Sequence, residues 1–141
     1  MKACGVEIKG NDAIICIMSK ENSLYDIPHT RVQKISLDDA GDAEQVQKFQ
    51  FTFEKLMEDY HVSHVLIKGR ALKGKFAGGP IGFKIEAAIQ LIKELQVEVL
   101  AGSFIKKEIA KSQVEIDFRD TGLKQYQEQA FTTVFAYLET M

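Results

Sequence analysis

Residues 65–95, VLIKGRALKGKFAGGPIGFKIEAAIQLIKEL, constrain the fold more than any other stretch of this chain. An apolar run at residues 65–67 reads as a strand. A loop with Gly69, Gly74, Gly78, Gly79 and Gly82 in and around it follows, and then Ile85, Ala88, Ile89, Ile92 and Leu95 recur at helical spacing. Pro80 suits the first turn of that helix, where a missing N–H costs nothing. A strand that reaches the next strand through a helix lies parallel to it by a right-handed crossover, so an all-antiparallel fold is excluded. The loop is also basic, with Arg70, Lys73 and Lys75 in it and Lys84 just beyond. Cations and backbone N–H groups gathered at a helix start attract a phosphate. The spacing is neither that of a P-loop, which needs Gly-Lys-Ser/Thr, nor a dinucleotide fingerprint. A loop kept soluble by its lysines accounts for the same residues.

The remaining segments supply the rest of a sheet. Residues 3–8 (ACGVEI) and 12–18 (DAIICIM) are β-rich and separated by Lys9-Gly10-Asn11, a hairpin signal. With Gly10-Asn11 as the turn, Cys4 lies opposite Ile17 and Cys16 opposite Gly5. The two thiols then point to opposite faces and form no disulfide, as expected of reduced, buried cysteines in a cytoplasmic protein. A second turn at Glu21-Asn22-Ser23 leads to a third strand between residues 24 and 37, centred on residues 30–36. Pro28 and Lys34 mark it as an edge strand. Asp39 or Asp42 caps a helix to about Tyr60, with Val46, Phe49, Phe53, Leu56, Met57 and Tyr60 in one stripe. Phe51 points away from that stripe and is a candidate contact for a second subunit.

After the crossover helix, residues 97–100 (VEVL) read as a fifth strand. Ser103 is placed to cap a short helix over residues 104–111. Residues 114–118 form an extended connector, and a closing helix starts at Asp120 or Thr121 and runs to about Leu138. Its stripe is Leu123, Tyr126, Ala130, Val134 and Tyr137. His61 and His64 flank the entry to the fourth strand without a third ligand nearby, and His29 is isolated, so no metal site is expected from them.

The predicted architecture is α/β: one domain over residues 1–141, with a mixed five-stranded sheet in the order 3-2-1-4-5. Strand two is antiparallel, and helices cover both faces. A net charge of −2 excludes a generally basic nucleic-acid coat protein, and the longest apolar run is too short to span a membrane. The charges are segregated, however. Asp38, Asp39, Asp42 and Glu44 precede the first helix, whereas residues 68–84 are almost purely basic.

This order of elements resembles the ribonuclease H-like fold, and within it the RuvC-type resolvases. Three segments carry the resemblance: ACGVEIKGNDAIICIM as the opening hairpin, VSHVLIKGRA as the fourth strand, and LIKELQVEVLAGSFIKKEIAKS as the helix, strand and lysine-bearing helix that follow. The chain is also similar to a small uncharacterised bacterial family of this fold. The resemblance implies two-metal phosphodiester hydrolysis by carboxylates on strand one, strand four and the last helix. At those positions strand one carries Glu7, strand four carries Lys68, and the last helix offers Glu128, which should face solvent, or Asp120, with the uncharged Gln129 beside Glu128. The family's site is therefore expected to be degenerate, with Lys68 in place of an acid. Glu7 and Lys68, on adjacent parallel strands, are expected to form an ion pair instead.

Three functions fit these residues. One is a binding module for nucleic acid or another phosphate-bearing ligand, acting through the basic region 69–84 (Arg70, Lys73, Lys75 and Lys84) with no cofactor. Another is a structural or regulatory homo-oligomer, with Phe51 at a subunit contact. The third is a Mg²⁺-dependent nuclease built on Glu7. Phe76 and Phe83 are the loop's only aromatics, so phosphate contact is better supported than base stacking.

Overall fold

The computed structural model describes residues 1–75 and 77–141; Phe76 lies outside the described residues. Strands β1 (Lys2–Lys9) and β2 (Asp12–Glu21) form the first hairpin, in the register expected from the sequence: Cys4 opposes Ile17 and Gly5 opposes Cys16. Gly10 at φ 61° provides the left-handed turn that a side chain would resist. Both cysteines are buried and unbonded.

The third strand of the sequence reading is two short strands. β3 (Leu24–Asp26) pairs with the far end of β2 and β4 (Lys34–Ser36) with its near end, so they share one edge of that strand. Pro28 cannot donate to a ladder, and the intervening chain closes on itself instead. The Thr30 hydroxyl donates to Val32 O, and Gln33 Nε2 donates to Thr30 O. Next come α1 (Ala43–Asp59), β5 (His64–Lys68), α2 (Pro80–Gln90), β6 (Gln96–Leu100) and α3 (Gly102–Ala110). Two single 3₁₀ turns (Phe118–Asp120 and Gln125–Gln127) lead to α4 (Glu128–Leu138). The sheet runs β3-β2-β1-β5-β6, with β5 parallel to both β1 and β6.

The sheet separates two apolar clusters because its strands alternate. Cys4, Val6, Ile8, Val65 and Ile67 meet Phe49, Phe53, Met57, Ile85 and Ile89 of α1 and α2. Ala3, Cys16, Met18 and Leu66 meet Ile105 of α3 and Ala130, Phe131 and Val134 of α4. On β1, Ala3 and Gly5 face α4 and are small, which lets that helix lie against the strand. A Cβ placed on Gly5 would stand 2.1 Å from the carbonyl oxygen of Ala130.

Three helix boundaries differ from the sequence reading. α2 stops at Gln90, though Ile92 is still buried. Ala101, not Ser103, precedes α3, and it makes no side-chain cap. α4 begins at Glu128 because residues 118–127 find other partners: Asp117 caps the first 3₁₀ turn, and the buried Gln127 side chain accepts from Lys124 N and donates to Ile15 O at 2.8 Å. Tyr126, placed in the stripe by periodicity, is therefore exposed. Beyond α4, Glu139 accepts from the hydroxyls of Tyr25 and Ser112, with Lys20 Nζ at 3.9 Å, and ties this turn to the β2–β3 hairpin.

Candidate functional site

Glu7 and Lys68 stand one rung beyond the last paired residues of β1 and β5, Val6 and Ile67. Alternation along each strand turns both toward α4, and Gly5 holds α4 close enough to reach them. Here the expected ion pair is not formed. Lys68 Nζ donates to Gln129 Oε1 at 2.6 Å, while the Glu7 carboxylate makes no hydrogen bond or ion pair within 4.0 Å with any described residue. Both side chains are only half-buried. The end of β1 is open enough for water to solvate the Glu7 carboxylate. It needs no protein partner, and Lys68 takes the nearer amide.

Gln129 is the residue of this site that sequence reasoning undervalued. Its side chain receives Lys68, and its main-chain carbonyl accepts the hydroxyls of Thr132 and Thr133. Recognising it required knowing that α4 starts at Glu128, which puts Gln129 in the first turn. Glu128 is half-buried rather than solvent-facing and accepts from Gln125 Nε2 at 3.3 Å, and Asp120 is exposed in a 3₁₀ turn. Glu7, Lys68 and Gln129 thus offer one carboxylate, one ammonium and one amide oxygen already bonded to the ammonium, and the Glu128 carboxylate at the start of α4 is taken up by Gln125. Divalent ions of the Mg²⁺ type require several hard oxygen donors, and a nearby ammonium repels them. This set does not fit a metal pair. Among the described residues, no group of three or more His, Cys, Asp and Glu is arranged to hold a metal ion. His61 is exposed at φ 58°, His64 Nδ1 lies 2.8 Å from the Ser63 hydroxyl, and His29 is exposed.

The basic loop leaves β5 directly beyond Lys68, where Gly69 N donates to Leu100 O at 2.7 Å. Arg70 turns inward. Its guanidinium lies 4.4 Å from the Phe83 ring centroid, and a Cβ on Gly82 or Gly78 would stand 2.2 or 2.7 Å from Nη1. The two glycines are the space that Arg70 fills, and its Nε and Nη2 are buried without a hydrogen-bond partner. Lys73 and Lys75 lie on the exposed span of the loop. Lys84 projects toward α1, where its Nζ donates to Ala40 O at 2.6 Å. Of the four cations read from the sequence, Arg70 and Lys84 are thus engaged with other parts of the protein, and Lys73 and Lys75 lie in the exposed part of the loop.

The family model described as "Protein of unknown function (DUF3010)" matches residues 1–137. The chain belongs to this family. Its fold is ribonuclease H-like and similar to that of RuvC-type resolvases. The Thermus thermophilus RuvC structure matches with a TM-score of 0.76 at 8% identity, covering 99% of this chain and 94% of that one. T. thermophilus RuvC in complex with a Holliday junction substrate gives 0.69 at 9% identity, covering 99% and 93%. The Fowlpox virus resolvase complexed with substrate Holliday junction DNA gives 0.60 at 15%, covering 99% and 98%. At these identities the likeness concerns the fold alone. Among curated proteins none matches. Among the described residues, no helix is long and apolar enough to cross a membrane.

Proposed function

We propose that this protein holds a nucleic-acid phosphate backbone at the open ends of β1 and β5 without cleaving it. The observation that carries the reading is the bond from Lys68 to Gln129. At the strand end where a RuvC-type site would gather carboxylates around metal ions, a fixed positive charge stands instead. An ammonium uses three donors, and Gln129 takes one of them, leaving the others to meet phosphate oxygens. Lys73 and Lys75, on the loop that begins directly after Lys68, extend the same positive surface. Lysines that meet phosphates read charge and not base edges, so sequence preference is slight.

The test is a fluorescence-anisotropy titration with a labelled four-way DNA junction in EDTA at low salt. Binding is expected without divalent ions, with a slope of log affinity against log salt near −3 for about three phosphate contacts. Lys68→Ala weakens it. Glu7→Gln strengthens it, because a lone carboxylate beside the phosphate repels it. Nuclease chemistry predicts the opposite for Glu7: Mg²⁺- or Mn²⁺-dependent cleavage that Glu7→Gln abolishes. That result, or no binding to branched, duplex or single-stranded DNA, would overturn the proposal.

A further inference from the structure

Arg70 carries two N–H donors that the fold leaves without an acceptor. Its Nε and Nη2 are buried with no hydrogen-bond partner among the described residues, although the residue as a whole is partly open to solvent. These two nitrogens are not an arbitrary pair. Nε–H and the adjacent N–H of Nη2 lie in the guanidinium plane and point the same way, so together they form the fork that holds two oxygens of one oxyanion. The Phe83 ring centroid lies 4.4 Å from Cζ and meets the face of the group. A π face attracts the charge but leaves the in-plane donors unmet.

The surroundings add positive potential. α2 starts beside this group, with Gly79 as its N-cap, Pro80 as its first residue, no side-chain cap and no acidic residue in the first turn. First-turn N–H groups have no intrahelical acceptor and carry the positive end of the helix dipole. A Cβ on Gly82 would lie 2.2 Å from Nη1 and 2.9 Å from Cζ, so the guanidinium rests on that first turn. Gly78 forms the other wall, where a Cβ would lie 2.8 Å from Cζ. A cation against the positive end of a helix is unfavourable by itself, and burying its donors unmet makes it more so. An oxyanion reverses both effects. Two positive features in one place suit a phosphate monoester, at about −1.5 to −2 near neutral pH, better than a singly charged diester. A site walled by two stretches of backbone also takes a terminal phosphate more readily than one flanked by chain on both sides. Lys68 belongs to a different place, since it reaches α4 on the other face of the sheet.

We propose that Arg70 and the first turn of α2 form a site for a terminal phosphate, either inorganic phosphate or a phosphate monoester. Rotation of a side chain already part-open to solvent turns the fork to the incoming ligand. The site goes beyond the strand-end reading and does not rest on it. The test is isothermal titration of the full chain in chloride buffer with inorganic phosphate, with a 5′-phosphorylated trinucleotide and with its 5′-hydroxyl counterpart. Wild type is expected to bind at least one of the two phosphate probes. Arg70→Lys keeps the charge without the fork, and Arg70→Met keeps the stem without either. Each is expected to weaken binding about tenfold or more. Arg70→Met is also expected to melt no lower than wild type without phosphate, because it removes a charge whose donors are unmet. A purely structural Arg70 would instead lower that melt. Preference for the phosphorylated trinucleotide over the hydroxyl form assigns the site to a nucleic-acid end, and binding of inorganic phosphate alone assigns it to the free ion; either supports the site. Absence of both, or binding that the two Arg70 variants retain in full, would overturn it. A chain that ignores DNA junctions but still answers to phosphate through Arg70 defeats the strand-end reading and keeps this one.

Discussion

Lys68 makes one strong bond at a half-open site, and its energetics follow from that. Breaking a buried ion pair costs about 3–5 kcal/mol because a charge is left stranded. Here Glu7 is partly solvated and unpaired, so Lys68→Met removes only a hydrogen bond to a charged donor. The expected loss is about 1.5–3 kcal/mol in urea denaturation. Gly5 should be much less forgiving than an ordinary strand glycine. In Gly5→Ala the new methyl would stand 2.1 Å from a backbone carbonyl, and backbone cannot swing aside as a side chain does. Overpacking of a tight contact costs about 1–3 kcal/mol, occasionally more, and this substitution belongs at the upper end. A thermal melt indistinguishable from wild type would contradict the close packing of α4 on β1. The thiols are protected in the same core. Burial pushes Cys16 up to about 12 and Cys4 higher still, so the thiolate is scarce near neutrality. A disulfide reagent should titrate neither in the native protein and both after denaturation.

At the scale of elements, α1 is held at its start by Asp42, whose side chain accepts from Glu44 N at 3.0 Å. Asp42→Ala should cost about 1 kcal/mol in a chemical melt, while Asp39→Ala, whose side chain receives Gly41 N in the preceding turn, should cost less. Much of this level was legible in the chain itself. The hairpin register followed from Gly10-Asn11, the α1 stripe from Phe49, Phe53, Leu56 and Met57, and the parallel crossover from residues 65–95. What was hidden depended on partners far away in sequence. Gln127 stays out of a longer helix because it reaches Ile15, and no local pattern announces that bond. Pro28 signalled an edge, but not that the edge would be shared by two short strands. The candidate site was half legible for the same reason. The sheet order brought Glu7 and Lys68 to one strand end, whereas the choice of Gln129 as partner required the true start of α4.

For the whole molecule, acid stability should depend on Glu139, which joins the last turn to the β2–β3 hairpin. Burial raises its pKa, but hydrogen bonds from Ser112 and Tyr25 and the charge of Lys20 outweigh that and hold it below its ordinary value. A carboxyl held low in the folded state contributes stability above its unfolded pKa of about 4.3, and that contribution is lost as pH falls through the folded value. Wild type should therefore lose urea resistance below about pH 5 more steeply than Glu139→Gln. A shared slope would assign acid lability elsewhere. The two-sided sheet also has a consequence for how the chain is made. The β1–β2 hairpin is apolar on both faces, and it leaves the ribosome before the helices that cover it. Its α1 side can be shielded once Met57 has been added, but Ala3, Cys16 and Met18 on the reverse wait for Val134 and Leu138. At about 5–20 residues per second, that leaves one face of the nascent sheet bare for roughly 4–16 s. Over that interval, the growing polypeptide cannot cover that face with α4.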